Sequence, residues 1–281
     1  MSVYEAPAKV NLSLHVEPPK SDGYHPIQSL VQTIEWCDRI EVEEAEDDDL
    51  KVVGAELDPE DNLVRRALDA ARLRKPVPTL SINLRKRIPI GAGLGGGSSD
   101  AAATLVAALS FGAVTAVEIA EAASSLGADV PLFLVGGTIL MSGYGEVIET
   151  QPDLIGLAVA VAVPDFSLST AEVYRRWDQM EGPIGEAPSP GSLPPQLRGG
   201  MPIRNDLTPA AMDLEPMLGD FMADLRSVWG PTVLMTGSGS GCFGLFPDQS
   251  EADDAARAVR GWSRVAFGAD LRSRGVVRVE E

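Results

Sequence analysis

The sequence predicts an α+β fold in two domains, and three observations carry that prediction. Apolar residues recur with period two in several separate runs, as at Val10, Leu12, Leu14 and Val16, which marks strands. Helix-forming stretches fall among these runs without the regular strand–helix–strand rhythm of a parallel sheet. Past Gly145 the texture changes, which puts a boundary near 146–156 and divides residues 1–150 from 151–281.

At 281 residues and 44% hydrophobic content, the chain can bury a sizeable core. Its 41 acidic and 23 basic residues give a net charge of −18, which argues against nucleic acid or an anionic membrane as partner. An anionic substrate would then need a local positive patch. Cys37 and Cys242 lie far apart and only two histidines are present, so neither a disulfide scaffold nor a zinc site is suggested. The N-terminus lacks a signal-like pattern, and the longest apolar run, Ile155 to Val163, is too short to span a bilayer. The cytoplasm is the expected location.

In chain order, residues 6–16 alternate as a half-buried strand with Lys9, Asn11, Ser13 and His15 on one face. That face is either solvated or functional. Asp22-Gly23 signals a tight turn, and Tyr24-His25 just beyond it are either partly buried rings or a surface for a planar base. Ile27 to Val42 reads as strand, Glu43 to Asp49 as an acidic turn, and Leu63 to Leu73 as a helix after Asp61-Asn62. Leu80, Ile82 and Leu84 alternate again and lead into Pro89-Ile-Gly-Ala-Gly-Leu-Gly-Gly-Gly-Ser-Ser-Asp100, which runs directly into an alanine-rich helix. Glycines where φ must be positive, followed by a helix N-terminus, make a site for an anion such as phosphate.

Thr115 to Glu118 is a capping box, and Gly127 can end the helix that follows it. Asp129 then stands as an N-cap ahead of Pro131, and Phe133 to Met141 reads as a strand interrupted by Gly136-Gly137. Leu157 to Val163 is a buried strand and Ser169 to Trp177 a helix. Residues 181–204, rich in proline and glycine, read as a long surface loop. Helix returns between Thr208 and Val228. Two strands flank Thr236 to Gly241, Ser250 caps a helix to Trp262, and two short β-rich runs follow.

Three segments in order, Pro7-Ala-Lys-Val-Asn-Leu12, the Gly91–Asp100 loop and Thr236–Gly241, resemble the motifs of the GHMP kinases. Asp22 to His25, Glu60 to Leu63, Gly127 to Pro131 and Asn205 to Leu207 extend the resemblance over nearly the whole chain. It implies the two-domain GHMP kinase fold, with the active site in the cleft between the domains. It also implies ATP-dependent phosphorylation of a small alcohol, with Asp129 taking the hydroxyl proton and Lys9 beside it. ATP would be held by Pro89, Gly91, Gly93, Leu94 and Gly95 and by Gly96, Gly97, Ser98 and Ser99, with Asn62 and Leu63 at the adenine. Mg²⁺ is expected with ATP, its ligands not identifiable; Asp100 should point away from the phosphates or act through the metal. The acceptor implied is a cytidylyl sugar alcohol, with Asn11 at its hydroxyl and Tyr24, His25 and Tyr174 gripping the cytosine. Thr236, Gly237, Ser238 and Gly239 would close on the substrate. The alternatives are another GHMP kinase substrate or a sensor without turnover; the oligomeric state stays open.

Overall fold

The computed structural model describes residues 1–58, 62–111 and 115–279; Glu60 and Asp61 of the Glu60–Leu63 segment lie outside them. The first half of the chain forms β1 (Ser2–Asn11), β2 (His15–Val16), β3 (Ile27–Glu44), β4 (Asp49–Val53), α1 (Leu63–Arg72) and β5 (Leu80–Arg85). It continues as α2 (Gly96–Ser110), α3 (Ala116–Leu126), α4 (Val130–Val135), β6 (Thr138–Ser142) and β7 (Val147–Thr150). The second half comprises β8 (Ala158–Val163), α5 (Thr170–Gln179), α6 (Thr208–Leu214), α7 (Met217–Trp229), β9 (Val233–Met235), β10 (Cys242–Phe246), α8 (Gln249–Val259), β11 (Val265–Asp270) and β12 (Val277–Val279).

Two sheets result. In the larger, β12, β1, β3, β5 and β4 lie in that order, with β2 and β6 also on β3 and β7 beyond β6. The smaller runs β11–β8–β10–β9, all antiparallel. The last strand, β12, returns to β1 of the first sheet, so the chain's end closes on its beginning.

The sheets pack face to face between two helical layers. Val159, Val161 and Val163 of β8 meet Ala8, Val10 and Leu12 of β1 across the middle, while Ala158, Ala160 and Ala162 face the helices of the second half. Alternation along one strand therefore serves two cores. Along β1 the register shifts between Pro7 and Ala8. Tyr4 and Ala6, before the shift, pack with Ala103 and Ala107 of α2, whereas Ala8, Val10 and Leu12, after it, pack toward the second sheet. A bulge of this kind re-aims every later side chain. It turns Lys9 and Asn11 away from the inter-sheet core and toward the helix layer.

Several expectations need correction. The Lys9–Asn11 face is not solvated, since the two residues are 4% and 7% exposed. Phe133 to Val135 belongs to α4 rather than to a strand, which begins only at Thr138; a short apolar run does not distinguish a buried turn of helix from a strand. β4 was not anticipated, and Asp49 opens it. The helix between Thr208 and Val228 is two helices, broken at Glu215-Pro216. Asp248, not Ser250, caps α8, accepting from the Glu251 N–H at 2.9 Å. The 181–204 stretch buries Leu193, Leu197 and Ile203 in the inter-sheet core. Cys37 and Cys242 are free, and among the described residues no helix is long and apolar enough to cross a membrane.

Phe243, fully buried in β10, fills the inter-sheet layer. Phe243→Ala should lower the unfolding free energy by about 3–5 kcal/mol in urea titration with little change in slope. A loss below about 1 kcal/mol would show that this layer is not close-packed.

Candidate active site

The glycine loop is held by its apolar residues and shaped by its glycines. Ala92 and Leu94, each 1% exposed, anchor it in the inter-sheet core. Between and beside them Gly91, Gly93 and Gly95 take φ of 71°, 70° and 73°, the left-handed region that glycine adopts without strain. Space matters as well. A Cβ on Gly95 would lie 2.7 Å from Phe133 Cζ and 3.1 Å from Lys9 Cγ, and one on Gly93 would run into the Thr236 carbonyl.

Helix α2 starts on this loop. The first N–H bonded within it is that of Ser99, to the Gly95 carbonyl at 2.9 Å, which leaves the N–H groups of Gly96, Gly97 and Ser98 without intrahelical partners at the positive end of the helix. They border a pocket of about 330 Å³ whose walls include Asn62, Leu63, Lys86, Pro89, Gly91 to Ser98 and Asp100. Asn62 also caps α1, accepting from the Val64 N–H at 3.0 Å. Ser99 is different. It is fully buried, borders no part of this pocket and leaves its Oγ without a partner.

Lys9 lies where β1, α2 and α4 meet. Its Nζ donates to Asn11 Oδ1 at 2.5 Å and stands 3.7 Å from Asp129 Oδ2. Burial pushes the Lys9 pKa below its ordinary value, with Asp129 working against the shift. Asp129 opens α4 but its side chain makes no capping hydrogen bond, so the N-cap role expected for it is not taken up. The carboxylate is 37% exposed. Asn11 reaches into both halves of the chain: its Nδ2 donates to Ser29 Oγ at 2.8 Å, and its backbone N–H to Thr236 Oγ1 at 3.0 Å.

The Thr236–Gly241 loop closes against the glycine loop. The Gly241 N–H donates to the Ala92 carbonyl at 3.2 Å, and Thr236 Oγ1 lies 3.3 Å from the Gly93 carbonyl. Asn205 holds this loop in place, its Nδ2 donating to the carbonyls of Met235 and Gly237 at 2.9 and 2.8 Å. Gly237 and Gly239 are buried within it, and Ser238 Oγ meets Thr170 Oγ1 at 2.8 Å.

On the other side of Asp129 is an aromatic group. His25 packs on Tyr174 at 5.1 Å and edge-on to Trp177 at 5.4 Å. Its Nδ1 donates to the Glu17 carbonyl at 3.1 Å, and Nε2 is 3.3 Å from Asp178 Oδ2. Burial and the nearby Asp129 push Tyr174 up to about 12. Tyr24 is brought elsewhere: it is 69% exposed and its ring contact is with Tyr144.

Known proteins resemble this chain over most of its length. The models for the GHMP kinases N terminal domain and the GHMP kinases C terminal match residues 62–137 and 203–263. A 4-diphosphocytidyl-2-C-methyl-D-erythritol kinase of Agrobacterium fabrum (strain C58 / ATCC 33970) is 36% identical, the alignment covering 93% of this chain and 94% of that one. The chain belongs to the GHMP kinases. A second enzyme of that name, from Mesorhizobium japonicum, is 37% identical over 96% of this chain and 95% of its own. A crystal structure of 4-(cytidine 5'-diphospho)-2C-methyl-D-erythritol kinase superposes with a TM-score of 0.77 at 36% identity, covering 96% of this chain and 98% of that one. Homoserine kinase from Cytophaga hutchinsonii, at 16% identity and a TM-score of 0.69 over 99% of this chain and 97% of its own, shares the fold. The kinase is thus an ATP-dependent small-molecule phosphotransferase.

A buried charge cluster under its glycine loop was not read from sequence. Lys86 Nζ donates to Asp38 Oδ2 at 2.5 Å and Asp100 Oδ2 at 2.6 Å, while Asp38 Oδ1 accepts from the backbone N–H groups of Arg87 and Ile88 at 2.5 and 2.9 Å. The two ends of the loop are thereby tied to β3. Asp100 borders the pocket with its Oδ2 on Lys86, and its Oδ1 has no partner.

Burial drives the Asp100 pKa well above its ordinary value, Lys86 opposing and Asp38 adding to the shift. Burial also opposes the Lys86 charge, but Asp100 and Asp38 outweigh it and raise that pKa. A raised pKa means stability that is complete below the unfolded value and lost as pH rises through the folded one. For Lys86 that loss lies above 10.5, outside the neutral range. For Asp100 it begins above 3.8, so its ionised form is the costly member. Lys86→Met should therefore lose about 3–5 kcal/mol at neutral pH, since two carboxylates remain without a cation. Asp100→Asn, which leaves one acid and one base, should be neutral or stabilising in the same denaturation assay. The reverse order would refute this account of the cluster.

Proposed function

We propose that this kinase phosphorylates the 2-hydroxyl of 4-diphosphocytidyl-2-C-methyl-D-erythritol, giving the 2-phosphate and ADP, a step in the non-mevalonate route to isoprenoid precursors. The observation that carries the reading is the Lys9–Asp129 pair, 3.7 Å apart, beside the positive end of α2. A hydroxyl is a poor nucleophile, and phosphoryl transfer asks for positioning and charge stabilisation more than for covalent chemistry. Asp129, uncapped and partly exposed, accepts the hydroxyl proton. Lys9, 3.7 Å from Asp129, offsets negative charge that develops near it. Asn11, fixed by Ser29 and Thr236, orients the acceptor.

The N–H groups at the start of α2 and the glycines from Gly91 to Gly97 take the ATP phosphates, with Pro89, Leu94 and Ser98 beside them and Asn62 and Leu63 toward the adenine. Mg²⁺, when bound, neutralises phosphate charge. The pocket wall offers it one carboxylate, Asp100, with one oxygen on Lys86 and the other unpartnered. Such a donor set suits an ion carried largely by phosphates. Thr236 to Gly239 cover the substrate from the second domain. His25, Tyr174 and the exposed Tyr24 read the cytosine by stacking and hydrogen bonds. The partner is this small molecule, and the cytoplasm is its place of action.

Asp129→Asn should lower kcat by about 10²–10⁴-fold with the KM for ATP nearly unchanged, because the amide keeps the shape and loses the proton acceptor. A near-normal kcat would remove Asp129 from the chemistry. Gly95→Ala should raise the KM for ATP several-fold in a protein that still folds, the left-handed φ costing about 1–2 kcal/mol for a residue with a Cβ. The substrate is tested by ADP release with the cytidylyl compound, its uridylyl analogue and methylerythritol phosphate without the nucleotide. Strong preference for the first is expected; equal turnover of all three would move the assignment to another GHMP kinase substrate.

A further inference from the structure

The turn between β6 and β7 carries an aromatic residue that neither the nucleotide site nor the Lys9–Asp129 pair uses. Tyr144 is 41% exposed, and Tyr24 meets it edge-on with centroids 6.1 Å apart and ring planes at 69°. One carboxylate joins the two tyrosines. Asp22 Oδ1 accepts from the Tyr24 backbone N–H at 3.0 Å, and Asp22 Oδ2 accepts from the Tyr144 hydroxyl at 2.9 Å. The Tyr24 N–H first and the Tyr144 hydroxyl second hold the Asp22 carboxyl below its ordinary pKa, as an ionised acceptor shared by both should be.

The support beneath Tyr144 is firm. Its own N–H donates to Glu146 Oε2 at 2.6 Å, and the Gly143 carbonyl accepts from the Ile27 N–H at 2.7 Å, where β3 begins. Gly145, at φ 107°, sits so close to the segment before α4 that a Cβ there would lie 3.0 Å from Ala128 Cβ. Ala128 directly precedes Asp129. A single short turn therefore touches both the tip that carries Tyr24 and the segment that carries the proton-accepting carboxylate.

We infer that Tyr144 is a specificity-determining positioning residue, which braces the exposed Tyr24 ring so that the cytidylyl base meets a preformed aromatic face. The inference rests on the proposed reading of the base by Tyr24. An exposed tyrosine on an unsupported turn must be immobilised when a ligand binds, which weakens binding; one already braced by an edge contact and a shared carboxylate has lost that freedom in advance. Tyr144 acts through Tyr24 and so affects recognition of the base rather than the phosphoryl transfer step.

The test is a double-mutant cycle on the full chain with Tyr24→Ala, Tyr144→Ala and the double variant. Readouts are the KM values for the cytidylyl substrate and for ATP, kcat, and inhibition by CMP, which probes the base subsite alone. Tyr144→Ala should raise the KM for the cytidylyl substrate and the inhibition constant for CMP together by about three- to tenfold, the range expected for loss of one preordered side chain. The KM for ATP and kcat should stay near the parent values. Tyr144→Phe, which keeps the ring and loses only the bond to Asp22, should show a smaller shift in the same direction, and the double variant should be little worse than Tyr24→Ala. Full additivity of the two single effects would overturn the inference, as would an unchanged CMP constant in Tyr144→Ala while Tyr24→Ala weakens CMP binding. If Tyr24→Ala itself leaves CMP binding unchanged, the reading of the base by Tyr24 falls, and the role of Tyr144 falls with it.

Discussion

Burying the Lys9 ammonium is the constraint on which the rest of the site depends. Desolvation disfavours the charged form of a buried lysine, so the charge persists only where carboxylate and carbonyl oxygens are fixed around it. Asn11 Oδ1 and Asp129 supply those oxygens here. Each of them is in turn held from elsewhere: Asn11 by Ser29 of β3 and Thr236 of the second half, Asp129 by its place at the start of α4. The Lys9 stem passes so close to Gly95 that the loop must lack a side chain there, and the Lys9 backbone N–H binds the Leu94 carbonyl at 3.0 Å. One buried cation thus draws the strand, both loops and two helix N-termini to a common point. On the proposed reading, a charge fixed before the reaction needs no reorganisation during it, which is what stabilising a developing negative charge requires.

The sequence made the linear part of this arrangement readable and left the spatial part hidden. The glycine loop, the capping box at Thr115 and the alternation of β5 and β8 are local signals, and each has its expected form, whereas the run over residues 6–16 divides into β1 and β2. Lys9 and Asn11 could be placed on one face because a strand's period is fixed. That this face is buried could not be read, because it depends on the register shift between Pro7 and Ala8 and on loops from far along the chain. Phe133 to Val135 were misread for a related reason: a short apolar run is compatible with helix or strand until tertiary packing decides. Asn205 shows the same limit from the other side. Its motif is visible, yet its task, clamping the backbone on both sides of Thr236, exists only once β9 lies next to it.

The acidic surface and the anionic chemistry of the site are reconciled by distance. A net charge of −18 spread over the exterior is screened at physiological salt over roughly 8–10 Å. The groups that the proposed reading brings to the phosphates are shielded from that field: Lys9 is buried, and the first N–H groups of α2 are backbone-borne. Lys86 is neutralised by two carboxylates, so its task is to fix the ends of the loop more than to add charge to the pocket. On the proposed reading, attraction for the phosphates comes mainly from oriented backbone dipoles, with Lys9 at their edge. Backbone donors cannot be strengthened by adding lysines around them; they depend on the loop keeping its shape. For this reason the buried Asp38–Lys86–Asp100 cluster and the left-handed glycines belong to one device. The cluster fixes where the loop starts and ends, and the glycines let the backbone between those points lie against the ligand.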